Sequence, residues 1–157
     1  MSEFTESFIP FTESPTTDCN HGKLMSRCKV NPANVWTSKK EYAAQWDTGA
    51  QKTSITNKVA RELNLKIVIY FNVRGVNDLV PKRVPGYVID LELPGGDIIR
   101  KLTVPEGNDN GWDVLIGMDV IQQGDFAVTN FNNSPRFTFR KPCEKTIDFC
   151  DADASDS

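Results

Sequence analysis

The chain has a single histidine, His21, among its 157 residues. Hydrolases that pair a serine or cysteine nucleophile with a histidine need that imidazole at the reacting atom. His21 lies in a segment without sustained hydrophobic periodicity and would have to serve alone. Most such hydrolase schemes are therefore excluded, and so are metal sites built from several histidines.

Long apolar runs and an excess of basic charge are also missing. The longest apolar run, residues 67–71, is far too short to span a bilayer, and the N-terminus has acidic residues where a signal peptide needs a basic region. The net charge is -3, and the basic residues are scattered without aromatic residues between them. We therefore expect a cytoplasmic protein with no membrane and no nucleic-acid partner.

Cysteines are few: Cys19, Cys28, Cys143 and Cys150. With His21 they could supply thiolate and imidazole ligands for a zinc ion that joins the two ends of the chain. Neither pair of cysteines has the short gap typical of zinc knuckles, so free thiols in a reducing compartment are favoured. We predict no metal and no cofactor, and a structural or regulatory protein held together by zinc stays open as an alternative.

Composition and patterning fit one folded domain between two less regular ends. We predict a weakly structured N-terminal extension over residues 1–34, a domain over residues 35–142 and an acidic C-terminal tail over residues 143–157. Within the domain, short strand patterns alternate with turn formers, and the predicted strands cover residues 39–46, 53–55, 65–73, 86–93, 98–104, 125–131 and 136–140. This pattern predicts a mostly β protein, a closed and mostly antiparallel β-barrel with one or two short helices.

Three local expectations can be tested against the structure. The strand over residues 65–73 (LKIVIYFNV) is apolar and β-branched, so it is predicted to be largely buried. Thr56 is placed to cap the helix that follows it, and Asn64 suits the left-handed position at the end of that helix. Asp119 is expected to cap the second short helix.

The residues Asp47-Thr48-Gly49-Ala50 follow a strand pattern and precede a turn, a short strand and a helix. A tight turn can aim the Asp47 carboxylate outward, because Gly49 reaches backbone angles closed to other residues and Thr48 can hydrogen-bond to the chain. Alone, this tripeptide is better explained as an ordinary surface turn. A second stretch, Val114-Leu115-Ile116-Gly117, also ends at a glycine that opens a helix.

The two motifs in this order, with a hairpin-rich stretch between them, resemble the retropepsins, the retroviral-type aspartic proteases, and most of all their bacterial members. The resemblance covers roughly residues 35–149. It implies a barrel of the acid-protease type and an aspartic endopeptidase that needs no cofactor. Since the chain has one Asp-Thr-Gly, it also implies a homodimer whose two Asp47 carboxylates activate a water that hydrolyses peptide bonds in an extended polypeptide substrate.

The resemblance also assigns roles to the neighbouring residues. Thr48 would hydrogen-bond across the dimer, Gly49 would let a substrate backbone approach, and Ala50 would line the inner subsite. The supporting motif would be Leu115, Ile116 and Gly117. A flap that closes over the substrate would be formed by the hairpin over residues 74–84, with its tip at Gly75, Val76, Asn77 and Asp78.

The chain departs from retroviral members at two positions. Gln51 and Met118 stand where those proteins have an acidic residue and an arginine that form an ion pair near the dimer contact. The dimer must therefore be stabilised in another way. A second function stays open beside the protease, namely a retropepsin-like domain that dimerises and binds peptides without meaningful turnover.

Overall fold

The computed structural model describes residues 11–13, 22–36, 40–75, 77–133 and 135–150. Its helices are α1 (Asn57–Glu62), α2 (Met118–Ile121) and a 3-10 turn (Phe131–Asn133). Its strands are β1 (Phe11–Glu13), β2 (Leu24–Pro32), β3 (Glu41–Trp46), β4 (Ser54–Thr56), β5 (Ile69–Val73), β6 (Lys82–Glu92), β7 (Ile98–Gly107), β8 (Val114–Ile116), β9 (Asp125–Thr129) and β10 (Arg136–Arg140).

Six of these strands form a closed ring in the order β2-β3-β8-β4-β7-β6, and β6 pairs back onto β2. Within the described residues, four pairings of the ring are antiparallel, whereas β3–β8 and β4–β7 are parallel. β5 pairs with β6 outside the ring. The predicted fold class, a mostly antiparallel closed β-barrel with two short helices, is confirmed.

The barrel closes around a continuous apolar core because its strands alternate buried and more exposed side chains. In β3, Tyr42, Ala44 and Trp46 are buried and the residues between them are not, as expected for the period of two in a strand. Further core side chains come from the other ring strands and from both helices: Val30, Ile55, Val59, Ile89, Leu91, Val104, Val114, Ile116 and Val120.

A smaller sheet in the order β1-β10-β9 packs against the end of β3. Its contact is an aromatic cluster in which Trp46 stacks on Phe126 with ring centroids 5.7 Å apart and an interplanar angle of 8°. Phe137 and Phe139 lie tilted against the same indole at 5.7 and 5.1 Å. The indole also donates a hydrogen bond from Nε1 to Ser26 Oγ at 2.9 Å. The small sheet therefore fixes the residue that directly precedes Asp47.

The expectation that residues 65–73 form a largely buried strand is wrong. Ile67, Val68, Ile69 and Tyr70 are 50%, 57%, 47% and 51% exposed. Among the described strands β5 pairs with β6 alone and lies outside the closed ring, so core side chains do not cover it. An apolar run indicates a buried strand only when other strands or helices cover that strand. Here the apolar run lies on an exposed edge strand of the sheet.

The N-terminal extension and the helix ends differ in part from expectation. Residues 24–32, predicted to be weakly structured, form β2 and close the barrel against β6. Thr56 does occupy the N-cap of α1, but no described side chain donates or accepts a capping hydrogen bond there. Asn64 adopts the expected left-handed conformation with φ of 50°. The domain boundaries at residues 34 and 142 stay predictions.

Candidate active site

Asp47 lies on a tight loop directly after β3. Its main-chain N–H donates to the carbonyl of Ile116 at 2.9 Å, and its carboxylate Oδ1 accepts the N–H of Gly49 at 2.8 Å. The Ala50 N–H donates to the Asp47 carbonyl at 3.2 Å and closes the turn. Asp47 is half-buried, whereas Thr48 and Gly49 are exposed. The carboxylate is thus held at a defined position on a loop whose outer side is open.

The second motif forms the back wall of this loop. Parallel pairing of β3 and β8 sets Trp46 opposite Ile116 and Gln45 opposite Leu115. A Cβ atom on Gly117 would lie 2.7 Å from the carbonyl carbon of Lys52, so only glycine lets the two segments approach this closely. The sequence-predicted residues Asp47, Ala50, Ile116 and Gly117 are therefore brought together.

Gln51 and Met118 stand at the positions of the retroviral ion pair. Here main-chain hydrogen bonds join the two segments. The Met118 N–H donates to the Ala50 carbonyl at 2.8 Å, and the Asp119 N–H donates to the Gln51 carbonyl at 3.2 Å. Main-chain hydrogen bonds therefore connect α2 to the Asp47 loop without an ion pair between these two side chains.

Thr53 and Asp119 contribute to the site in a way that the sequence did not indicate. Asp119 Oδ1 accepts both the N–H of Thr53 at 2.8 Å and its hydroxyl at 2.6 Å, and Thr53 Oγ1 in turn accepts the Gly117 N–H at 3.1 Å. The expectation that Asp119 caps α2 is wrong: Gly117 is the N-cap, no described side chain caps that helix, and the Asp119 carboxylate reaches Thr53 instead.

The proposed flap residues lie in the loop that joins β5 to β6, beyond the Val73–Lys82 pair. Asp78 closes this loop, since its N–H donates to the Gly75 carbonyl and its Oδ2 accepts the Gly75 N–H, both at 3.1 Å. Lys82 Nζ lies 3.4 Å from Asp78 Oδ1. Asn77 is exposed, and Val76 lies outside the described residues.

Asp113 connects the second motif to its surroundings. Its carboxylate accepts the Ala43 N–H at 3.0 Å and Lys58 Nζ at 2.8 Å. Burial alone would raise the pKa of this carboxyl, but the hydrogen bonds from Lys58 and Ala43 outweigh it and lower the pKa below its ordinary value. The residue before Val114 therefore fixes β3 and α1 together.

The cysteines considered for zinc are spread over the fold. Cys28 is buried in β2, and burial raises the pKa of its thiol far above the ordinary range. Cys143 and Cys150 are exposed and free, while Cys19 and His21 lie outside the described residues. Among the residues described, no three histidine, cysteine, aspartate or glutamate side chains form a group that could hold a metal ion. Nor does the described part of the chain contain a helix long and apolar enough to cross a membrane.

Comparison with known proteins agrees with this geometry. Residues 33–123, more than half of the chain, match the family described as "gag-polyprotein putative aspartyl protease". The chain belongs to this family. A search of curated proteins finds no significant match.

Among solved structures, the fold resembles that of a retropepsin-like aspartic protease from Rickettsia conorii with a TM-score of 0.61. The sequences are 14% identical, and the match covers 90% of this chain and 97% of that one. Likeness at this identity shows the fold. The resemblance to bacterial retropepsins predicted from the two motifs is confirmed, whereas the roles of individual residues stay predictions.

Proposed function

We propose that the protein is an aspartic endopeptidase that hydrolyses peptide bonds in extended polypeptides as a homodimer. The observation that carries this proposal is the Asp47 loop, which Ile116 and Gly117 hold from behind and which is open in front. A loop of this kind presents a carboxylate in a fixed position to whatever binds on the open side.

A single chain supplies one such carboxylate, and water activation by paired aspartates needs two. A symmetric dimer places the same surface of both chains at the two-fold axis, so it brings both Asp47 side chains together. The exposure of Thr48 and Gly49 supports this assembly, because both residues are free to contact a second copy.

The chemistry follows from two carboxylates at close range. Two carboxyl groups this close together cannot both ionise at low cost, because the like charges repel. The pair therefore holds one proton, as is known for aspartic proteases in general. The ionised carboxylate takes a proton from a bound water while the water oxygen attacks the scissile carbonyl carbon. The protonated carboxyl donates to the developing oxyanion. The carboxyl that took the water proton then gives it to the amide nitrogen. Collapse of the tetrahedral intermediate breaks the C–N bond and returns the other proton to its carboxyl, so the pair again holds one proton.

The loop of Gly75, Val76, Asn77 and Asp78 would act as the flap over an extended peptide. The hydrogen bonds between Asp78 and Gly75 support a loop of stable shape, and strand-like pairing with the substrate backbone would supply affinity. Ala50 would line the subsite next to the scissile bond. A cytoplasmic location stays a prediction from the sequence.

A peptide-binding module without meaningful turnover is the second candidate. The exposed apolar side chains of β5 favour it, because Ile69 and Tyr70 lie on a strand whose outer edge no other described strand pairs with, and an extended segment could pair there. Both candidates require binding of an extended chain, and they differ only in hydrolysis.

The deciding experiment compares the wild type with Asp47→Asn on an unstructured protein and a peptide library, with a pepstatin-type inhibitor as a further control. The variant deletes the ionisable pair with little change in shape, so we expect cleavage to disappear while the fold and the dimer persist. Asp109→Asn is a matched control, because Asp109 also accepts the N–H of the residue two positions on, at 3.2 Å.

Asp109→Asn should cleave like the wild type. Equal activity of the wild type and Asp47→Asn on every substrate would refute the protease proposal. Sedimentation tests the dimer separately: a strict monomer at high concentration would leave Asp47 without its partner and would favour the binding module.

A further inference from the structure

The two oxygens of the Asp119 carboxylate differ in their contacts. Its Oδ1 accepts two hydrogen bonds from Thr53, but its Oδ2 is buried and no described residue donates to it.

The Asp119 carboxylate orients the hydroxyl group of Thr53. Because the Thr53 hydroxyl donates its hydrogen to the Asp119 carboxylate, the lone pairs of Thr53 Oγ1 are free to accept, and the Gly117 N–H donates there. Asp119 therefore fixes which way the hydroxyl points.

The hydrogen bond to Gly117 leads directly to Asp47. The Gly117 N–H and the Ile116 carbonyl belong to one planar peptide group, so they cannot turn independently. The carbonyl of that group accepts the Asp47 N–H at 2.9 Å. One continuous chain of hydrogen bonds thus runs from the Asp47 amide through the 116–117 peptide and the Thr53 hydroxyl to the Asp119 carboxylate. In such a chain each bond polarises the next, and a strong terminal acceptor strengthens all of them.

We propose that Asp119 is a positioning residue for Asp47, acting through Thr53 and the peptide group between Ile116 and Gly117. The proposal rests on the proposed function, since it concerns the placement of the carboxylate in the reaction. It predicts that loss of the Asp119 acceptor impairs turnover more than substrate binding or folding.

The test uses three variants and one matched control in the full chain. Asp119→Ala removes the terminal acceptor, Thr53→Val removes the hydroxyl between it and Gly117, and Asp119→Asn restores a neutral acceptor at the same place. Thr56→Val is the control, because Thr56 follows Thr53 by three residues and also has a buried hydroxyl, but no described residue bonds to that hydroxyl.

We expect Asp119→Ala and Thr53→Val each to lower kcat by about 10- to 100-fold, since misplacement by about 1 Å can cost that much, while KM changes by less than about twofold. Asp119→Asn should recover kcat to within about fivefold of wild type, because a neutral acceptor makes a weaker bond of the same geometry. Thr56→Val should match the wild type. The double variant of Asp119→Ala and Thr53→Val should be no worse than the poorer single one, since both act through one chain of bonds.

Amide hydrogen exchange supplies a readout that does not require activity. In Asp119→Ala the amides of Asp47 and Gly117 should exchange about tenfold faster, whereas those of Ile89 and Leu91, on the far side of the barrel, should not change. If Asp119→Ala fails to fold, Thr53→Val and Asp119→Asn give the same comparison.

Two failures are distinguishable. A wild type that cleaves nothing overturns the proposed function, and the exchange rates at Asp47 and Gly117 still decide the role of Asp119. An active wild type with unchanged kcat in Asp119→Ala, or with unchanged exchange at both amides, overturns the positioning role alone. A raised KM at constant kcat overturns it as well.

Discussion

Substitution of Gly117 by alanine tests whether close packing behind the loop sets the position of Asp47. Gly117 has φ of -98°, which any residue adopts, so backbone strain plays no part. The new Cβ would lie 2.7 Å and 2.8 Å from the carbonyl carbon and oxygen of Lys52, and 2.9 Å from the carbonyl oxygen of Ala50. All three are backbone atoms of the segment that carries the Asp47 loop, so no side-chain rotation relieves the overlap.

The size of the effect follows from these distances. An ordinary contact needs about 3.5 Å, so the loop must move away from Gly117 by roughly 0.7 Å. Overpacking of this kind costs about 1–3 kcal/mol of unfolding free energy. A shift of that size at Asp47 should also lower kcat by about 10- to 100-fold.

The assay pairs denaturant unfolding with peptide cleavage, and Gly96→Ala is the matched control. Gly96 has φ of +91° and open space around its Cβ position, so alanine there adds strain of about 1–2 kcal/mol in a turn without a clash. The control should lose stability and keep kcat. Gly117→Ala with wild-type stability and wild-type kcat would refute the packing argument. Reduced stability with normal kcat would show that the displacement does not reach Asp47.

Two further predictions concern the supports of the site. Trp46→Ala removes the indole at the centre of the aromatic cluster and should lower the unfolding free energy by about 3–5 kcal/mol. Chemical denaturation measures this loss. A loss below about 1 kcal/mol would show that the small sheet does not depend on the indole. In Asp113→Asn the unfolding free energy should fall less steeply than in the wild type as the pH is lowered into the acid range. The lowered pKa of Asp113 means that its contribution is complete well above the unfolded value of 3.8 and is lost as pH falls through the folded-state pKa. A variant that loses stability towards acid as steeply as the wild type would contradict this assignment.

The sequence predicted the local features well where neighbouring residues determine them. Alternation in β3 follows from Tyr42, Ala44 and Trp46, and the turn between β6 and β7 follows from a Pro-Gly-Gly-Asp sequence. The resemblance to retropepsins was recognised because two motifs occur in a fixed order. These signals are contained in a few consecutive residues, so one sequence is enough to see them.

The remainder depends on which strands become neighbours. The apolar residues Ile67–Ile69 have the composition of a buried strand, and only the ring closure of β6 onto β2 leaves them outside the core. Likewise, nothing near Thr53 in the sequence indicates Asp119. Their hydrogen bonds exist because β4 pairs with β8 and α2 follows β8 directly. Long-range pairing of this kind is not encoded in local periodicity.

Two separate parts of the fold hold the Asp47 loop in place, and this limits how far the loop can move. The aromatic cluster of Trp46, Phe126, Phe137 and Phe139 holds the residue before it, and the segment from Ile116 to Asp119 holds the residues after it. A loop fixed on both sides has little freedom to recruit a second carboxylate by rearranging its own chain. The open side of the loop carries the exposed residues Thr48 and Gly49, so under the proposed two-aspartate mechanism the second carboxylate would come from a second copy of the chain. Dimerisation should then be the step that creates activity, so specific activity should rise with protein concentration until the dimer is fully formed.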